Sequence, residues 1–156
     1  REKLDFEIRL YEGFSDMNLY YIVGKVDHKS DLFIKCLSDP KIRQELSNNK
    51  MKCEKLSQIN ENQWYEKITY NTESDRYSIE KFQLLNNCII GYSEHPPNYQ
   101  TKKDYNEKEN FFSMVKVNKD SKLEILLTFD EFDTIQDFMV DSFLSYLRTL
   151  ETAIKK

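Results

Sequence analysis

The sequence predicts an α+β fold: a curved antiparallel sheet wrapped around a long C-terminal α-helix, with two short helices after the second strand. Three observations carry that prediction. In residues 134–156, Ile135, Phe138, Met139, Phe143, Tyr146, Leu147, Leu150 and Ile154 recur at three- and four-residue steps, the spacing of one helical face. Asp137, Asp141, Ser145, Arg148, Glu151 and Lys155 fall on the other side. Ahead of this helix runs a series of segments with period-two alternation, interrupted by one early pair of helical patterns. Aromatic residues make up 13% of the chain, with Tyr 10 and Phe 10, which suits a broad sheet with bulky inward side chains. A strongly curved sheet can close on a terminal helix and leave a hollow between them, and the function is expected in that hollow.

The elements follow in order. Residues 4–10 alternate apolar and polar as a half-buried strand, residues 13–18 read as a turn, and residues 19–26 as a second strand. Ser30 is a plausible N-cap for a short helix carrying Leu32, Phe33, Cys36 and Leu37. Asp39 and Pro40 restart the chain as cap and first helical residue, and Ile42, Arg43 and Leu46 continue a second helix that ends at Asn48 and Asn49. Strands are then expected at 51–59, 63–70, 76–85, 88–93, 110–117 and 122–129. In the second of these Trp64, Ile68 and Tyr70 share one face, while Tyr65, Lys67 and Thr69 share the other. Most links are short enough for antiparallel neighbours. The exception, residues 94–109, is polar, holds two prolines and reads as a mobile, solvated loop.

A chain of 156 residues suits one domain, here 1–156. Only three Gly and three Pro argue against a collagenous, loop-rich or disordered chain. The net charge is −4 with both signs interspersed, so nucleic acid is not an expected partner. Cys36, Cys53 and Cys88 are odd in number and widely spaced, which fits buried thiols better than disulfides or zinc. His28 and His95 have no partner set of Ser/His/Asp or HExxH type, and no GxSxG or Gly-rich phosphate loop is present. The chain begins at Arg1 rather than Met, so it reads as a domain cut from something longer, cytoplasmic or peripheral to membranes, with any targeting segment in the missing part.

The order strand-strand, helix-helix, six strands and long helix is that of the helix-grip fold. Residues 20–156 resemble a START domain, the steroidogenic-acute-regulatory-related lipid-transfer module. The resemblance rests on LYYIVGKVDHKSDLFIKCLSDPKIRQEL (19–46), on WYEKITY followed by SDRY (64–77), on CIIGYSEHPP (88–97) and on KLEILLTF (122–129). Two positions depart from the family pattern. Glu45-Leu46 stands where the family has Trp-Asp, and Asp75-Arg76 reverses its Arg-Asp order, which exchanges the charge that points inward.

The resemblance implies non-catalytic lipid binding and transfer, of phospholipid or sterol class, by a monomer in transient contact with a membrane surface and with no cofactor. Enclosing a sixteen-carbon chain demands roughly 12 kcal/mol of apolar shelter, at about 0.8 kcal/mol per CH₂. The candidate walls are Trp64, Tyr70, Tyr77, Tyr92, Phe112, Met114, Ile125, Leu127 and Phe129 from the sheet, faced by Phe138, Met139, Phe143 and Tyr146 from the helix. Arg76 is either a headgroup anchor or a solvated strand residue paired with Glu80 or Asp75. The helix is expected to act as a gate hinged at residues 130–133, with residues 71–74 as a second entrance. Two alternatives remain open. One is an interaction module of the same architecture, of the Hsp90-activator type, with a filled interior. The other is a small cyclase-like enzyme, which a cluster of Lys, Glu and Tyr converging on the cavity would favour.

Overall fold

The computed structural model describes residues 6–14, 16–26, 30–71, 74–99, 104–108, 111–130 and 136–154. Strands β1 (Phe6–Phe14) and β2 (Met17–Lys25) come first, followed by helices α1 (Ser30–Leu37) and α2 (Pro40–Leu46). Strands β3 (Lys52–Asn60), β4 (Gln63–Asn71), β5 (Ser74–Leu85), β6 (Cys88–Ser93), β7 (Phe112–Val117) and β8 (Lys122–Asp130) lead to helix α3 (Gln136–Ile154). The eleven elements and their order are those expected from the sequence. All eight strands form one antiparallel sheet in the order β1-β2-β8-β7-β6-β5-β4-β3, so β1 and β3 are its edges.

Period-two alternation sets which side chains point inward. Register pairs Ile22 with Ile125, Val115 with Ile125, Ile89 with Val115, and Phe82 with Gly91, placing all of them on the face that α1 and α3 cover. The helices are held by local chemistry. Asp39 caps α2 by accepting the Lys41 amide at 2.9 Å, with Pro40 inside the first turn. Asn48 and Asn49 end it in the left-handed region, φ 57° and 61°, which asparagine tolerates. Along α3, Val140, Leu144, Tyr146, Leu147 and Leu150 are buried, with Met139 and Phe143 packed at the margin. Glu151, expected on the solvent side, is buried as well.

The stretch after β6 departs from expectation. Its described parts are tied to the sheet at several points, although residues 94, 97, 98 and 104–106 are exposed. Tyr77 donates its amide to the Asn106 carbonyl at 3.0 Å, and Lys108 donates to the Tyr77 carbonyl at 2.7 Å, so residues 106–108 run along β5 beyond the point where β6 has ended. Lys108 is 3% exposed and its ammonium lies 4.3 Å from the centre of the Phe129 ring. His95 Nε2 and Glu107 Oε2 meet at 2.6 Å, the Tyr77 hydroxyl reaches Asp104 at 2.7 Å, and the Tyr65 hydroxyl reaches Glu94 at 2.7 Å. Charge density made this stretch look unanchored; among its described residues Glu94 and Asp104 accept from tyrosines of β4 and β5, and Glu107 pairs with His95.

Candidate binding cavity

A cavity of about 370 Å³ lies between the sheet and helices α2 and α3. Its apolar wall comes from alternate residues of the central strands: Ile68, Phe82, Ile89, Val115, Leu127 and Phe129. Met139 and Phe143 of α3 face them. The cavity reaches the surface between Asn48 and Lys50 on one side and Ser142, Ser145 and Thr149 of α3 on the other, all of them exposed lining residues.

One wall is polar. Arg43, 4% exposed, comes off α2, and a guanidinium Nη2–H donates to Glu66 on β4 in a buried ion pair. The Trp64 indole donates to the same carboxylate oxygen at 2.6 Å. The Arg43 Nε and the second Glu66 oxygen are buried with no hydrogen-bond partner among the described residues. Burial by itself would lower the Arg43 pKa; the Glu66 carboxylate outweighs it and holds the guanidinium charged.

Glu66 stands directly opposite Glu80 in the β4–β5 register, on the inner face. Two facing carboxylates are unfavourable unless one stays protonated or a cation intervenes. Burial first, and then Glu66, push Glu80 up to about 7, against the Ser78 and Tyr70 hydrogen bonds and the Arg43 charge. Both Ser78 and Tyr70 hydroxyls donate to Glu80 Oε2, the latter at 3.2 Å. Among the described residues no donor reaches Glu80 Oε1. Gly91 makes room for this group, because a Cβ there would lie 2.8 Å from Phe82 Cε1 and 3.1 Å from Glu80 Oε1. Burial also raises the pKa of Tyr70, of Tyr146 and of Cys53, the last to about 12. These groups are neutral donors at physiological pH.

Of the residues singled out from the sequence, Tyr70, Leu127, Phe129, Met139, Phe143 and Tyr146 line this cavity. The others do not. Trp64 is on the inner face but stacks behind Phe82, with ring centroids 5.6 Å apart and planes at 11°. Ile125 is fully buried in the packed end of the sheet. Tyr92, Phe112 and Met114 sit at alternate positions to Ile89, Ser113 and Val115 and therefore face outward, where Gln83 donates to the Tyr92 hydroxyl. Tyr77 is also on the outer face, under Lys67 and bonded to Asp104. Arg76 is half-buried, on the same side of β5 as Ser78 and Glu80, yet does not line the cavity. The side chain of Phe138, the hinge at 131–133 and residues 72–73 lie outside the described residues.

Sequence reading missed Arg43, Glu66 and Glu80. The two glutamates carried a signal: each sits at the parity of an apolar strand face, between Trp64 and Ile68 or between Ser78 and Phe82. Arg43 carried little, since its partner lies 23 residues away.

One antiparallel sheet packed against a long terminal helix, with a hollow between them, defines the fold class. No helix among the described residues is long and apolar enough to cross a membrane, and no group of His, Cys, Asp and Glu among them could hold a metal. No family model and no curated protein matches the sequence. Solved structures do. The chain is similar to human StAR-related lipid transfer protein 5 over 96% of its own length and 88% of that chain, at 10% identity and a TM-score of 0.63. The lipid transfer and protein localization domain of human StarD13 (DLC2) matches 96% of this chain and 84% of its own, at 8% identity and a TM-score of 0.61. Human STARD10 matches over 93% and 73%, at 12% identity and a TM-score of 0.59. The fold is that of the StAR-related lipid-transfer domains.

Proposed function

We infer that the protein is a non-catalytic carrier that takes a lipid from a membrane surface and shelters it in the cavity under α3. The observation that carries this reading is an apolar hollow of about 370 Å³, inside the range of about 300–1,000 Å³ typical of small-molecule sites. Two of the similar structures are a StAR-related lipid transfer protein and a lipid transfer and protein localization domain, which supports the same reading. An interaction module would fill its interior, and here it is not filled. The cavity reaches the surface beside Ser142, Ser145 and Thr149, which makes the gap between α3 and the turn after α2 the entrance we favour over a hinge of the whole helix.

A second reading draws on the convergence of Glu80, Tyr70 and Tyr146, since a carboxyl titrating near neutrality beside phenols also suits acid–base catalysis. Native mass spectrometry of protein purified from cells tests both. Recovery of a bound hydrophobic compound that survives incubation unchanged is the expected result. Protein that emerges empty and takes up nothing from mixed lipid vesicles rejects the carrier; a compound converted on incubation supports the enzyme.

A further inference from the structure

The two edges of the sheet are finished differently. Edge strand β3 carries Lys52 and Lys55, and its pairing with β4 shifts register between Lys55 and Ser57 and again between Gln58 and Asn60. Lysines and bulges keep a sheet edge from pairing with another chain. Edge strand β1 holds no lysine and runs in unbroken register with β2 over residues 6–11. Among the described residues no strand pairs with its outer side. Ile8 and Leu10 stand opposite Ile22 and Tyr20, which are buried, yet they are themselves 47% and 43% exposed. Helix α3 reaches β1 at Phe6, where the Arg148 guanidinium lies 5.0 Å from the ring centre. Past that point the apolar inner face continues onto β1 and lies open to water.

The side chains of β1 select what covers this edge. Two copies paired antiparallel about a twofold axis at Ile8 set Ile8 against Ile8 of the second copy, Phe6 against its Leu10, and Glu7 against its Arg9. Residues of like parity meet, so the apolar inner faces join each other and the charged outer faces join each other. Glu7 and Arg9 are both exposed and already lie 3.1 Å apart within one strand. Across the axis they form two further pairs of opposite charge. Opposite charges directly across a strand pair stabilise it, and like charges destabilise it. Moving the axis to Glu7 sets glutamate on glutamate, and moving it to Arg9 sets arginine on arginine. Moving it to Leu10 sets Ile8 on Glu12. The axis at Ile8 satisfies both faces.

We propose that two copies of this chain join edge to edge through β1, antiparallel about Ile8, into one continuous sheet. The same patch serves on both copies, so the contact closes as a dimer instead of growing into a filament. This departs from the monomer that the family resemblance implies, and it does not depend on what the cavity holds.

Sedimentation equilibrium of the 156-residue chain should show the mass rising from one chain to two with concentration. Glu7→Arg and Arg9→Glu each place two like-charge pairs across the axis, and each should weaken the dimer roughly ten-fold. The combined swap should restore it. All three variants change exposed side chains, and an unchanged thermal melt by circular dichroism confirms the fold. The register is read separately by cysteine. Ile8→Cys lies across from itself, with Cβ atoms roughly 5 Å apart, and should give a disulfide-linked dimer on mild oxidation. Leu10→Cys is comparably exposed but faces Phe6, and should not; the wild-type chain, with Cys36, Cys53 and Cys88, is the oxidation control. A chain that stays monomeric up to about 1 mM overturns the proposal. So does a dimer that ignores the charge reversals, a swap that fails to restore association, or cross-linking of Leu10→Cys as readily as Ile8→Cys. Each of these puts the contact on another surface or in another register, and none bears on the carrier reading.

Discussion

The two ends of the sheet's inner face are filled in different ways. Where β2 leaves the sheet, Ile22, Val26, Val117, Leu123 and Ile125 cluster with Phe33 and Ile34 of α1, each at most 1% exposed. Across β4 and β5 the same face carries Glu66, Ser78 and Glu80, with Gly91 opposite Phe82 and the cavity beyond. One end is specified by apolar shape and is closed. The other is held open by a polar framework whose members bond each other rather than fill space. Stability should therefore respond to volume at the packed end and to charge at the hollow end.

The largest expected effect is at the charged framework. Arg43→Leu leaves Glu66 buried without its cation and should cost about 3–5 kcal/mol in urea denaturation. Replacing both partners, Arg43→Met with Glu66→Leu, should recover most of that loss, because an apolar pair of similar size needs no desolvation of charge. If the double variant is as unstable as the single, the framework is not an isolated ion pair and the comparison fails at its centre.

Next comes pH. Glu80 is pushed from the ordinary value of 4.5 up to about 7, so the folded state binds its proton more tightly than the unfolded state does. Its stabilising contribution is thus complete below 4.5 and is lost as pH rises through about 7. The loss amounts to about 2–3 kcal/mol between pH 5 and pH 8. Unfolding free energies at those two values should show that drop in the wild type and a much flatter response in Glu80→Gln. Parallel pH profiles would move the titration to another group.

A smaller effect separates the two ends directly. Ile125→Phe overfills the packed end and should cost about 1–3 kcal/mol. Ser113→Leu projects into the cavity and should cost about 1 kcal/mol or less, because there is room for it. The same substitution should abolish uptake of hydrophobic ligand. A large stability loss at Ser113 would mean that the hollow is not free space.

The smallest effect is expected on the outer face. His95 and Glu107 are partly exposed, 31% and 11% at the side chain, so His95→Ala should change stability by about 1 kcal/mol or less. Removal of residues 104–108 is a different matter, since it takes away buried Lys108 and the backbone bonds to Tyr77. A melting temperature unmoved by that deletion would restore the solvated loop.

The architecture was legible in the sequence because periodicity is a local property. Alternation in KLEILLTF and the three- and four-residue steps of residues 134–156 follow from strand and helix geometry before any tertiary contact forms. So did Asp39 and Pro40, whose cap depends on neighbours two residues away. The cavity wall was legible only in part. Choosing bulky residues without enforcing parity selected Tyr92, Phe112 and Met114, which face away from Ile89, Ser113 and Val115. Parity also marks Glu66 and Glu80 as inward, and their charge argued against reading them so.

The chain's own order of residues determined its eleven elements, its apolar faces and the capping of α2. Only the tertiary structure decided that Arg43 of α2 meets Glu66 of β4, that Glu66 stands opposite Glu80, and that residues 106–108 continue the sheet beside β5. The reason is physical. A periodic pattern is set by bonds within a few residues, but a buried charge is tolerable only beside a partner. Where that partner lies far along the sequence, the fold alone brings it within reach.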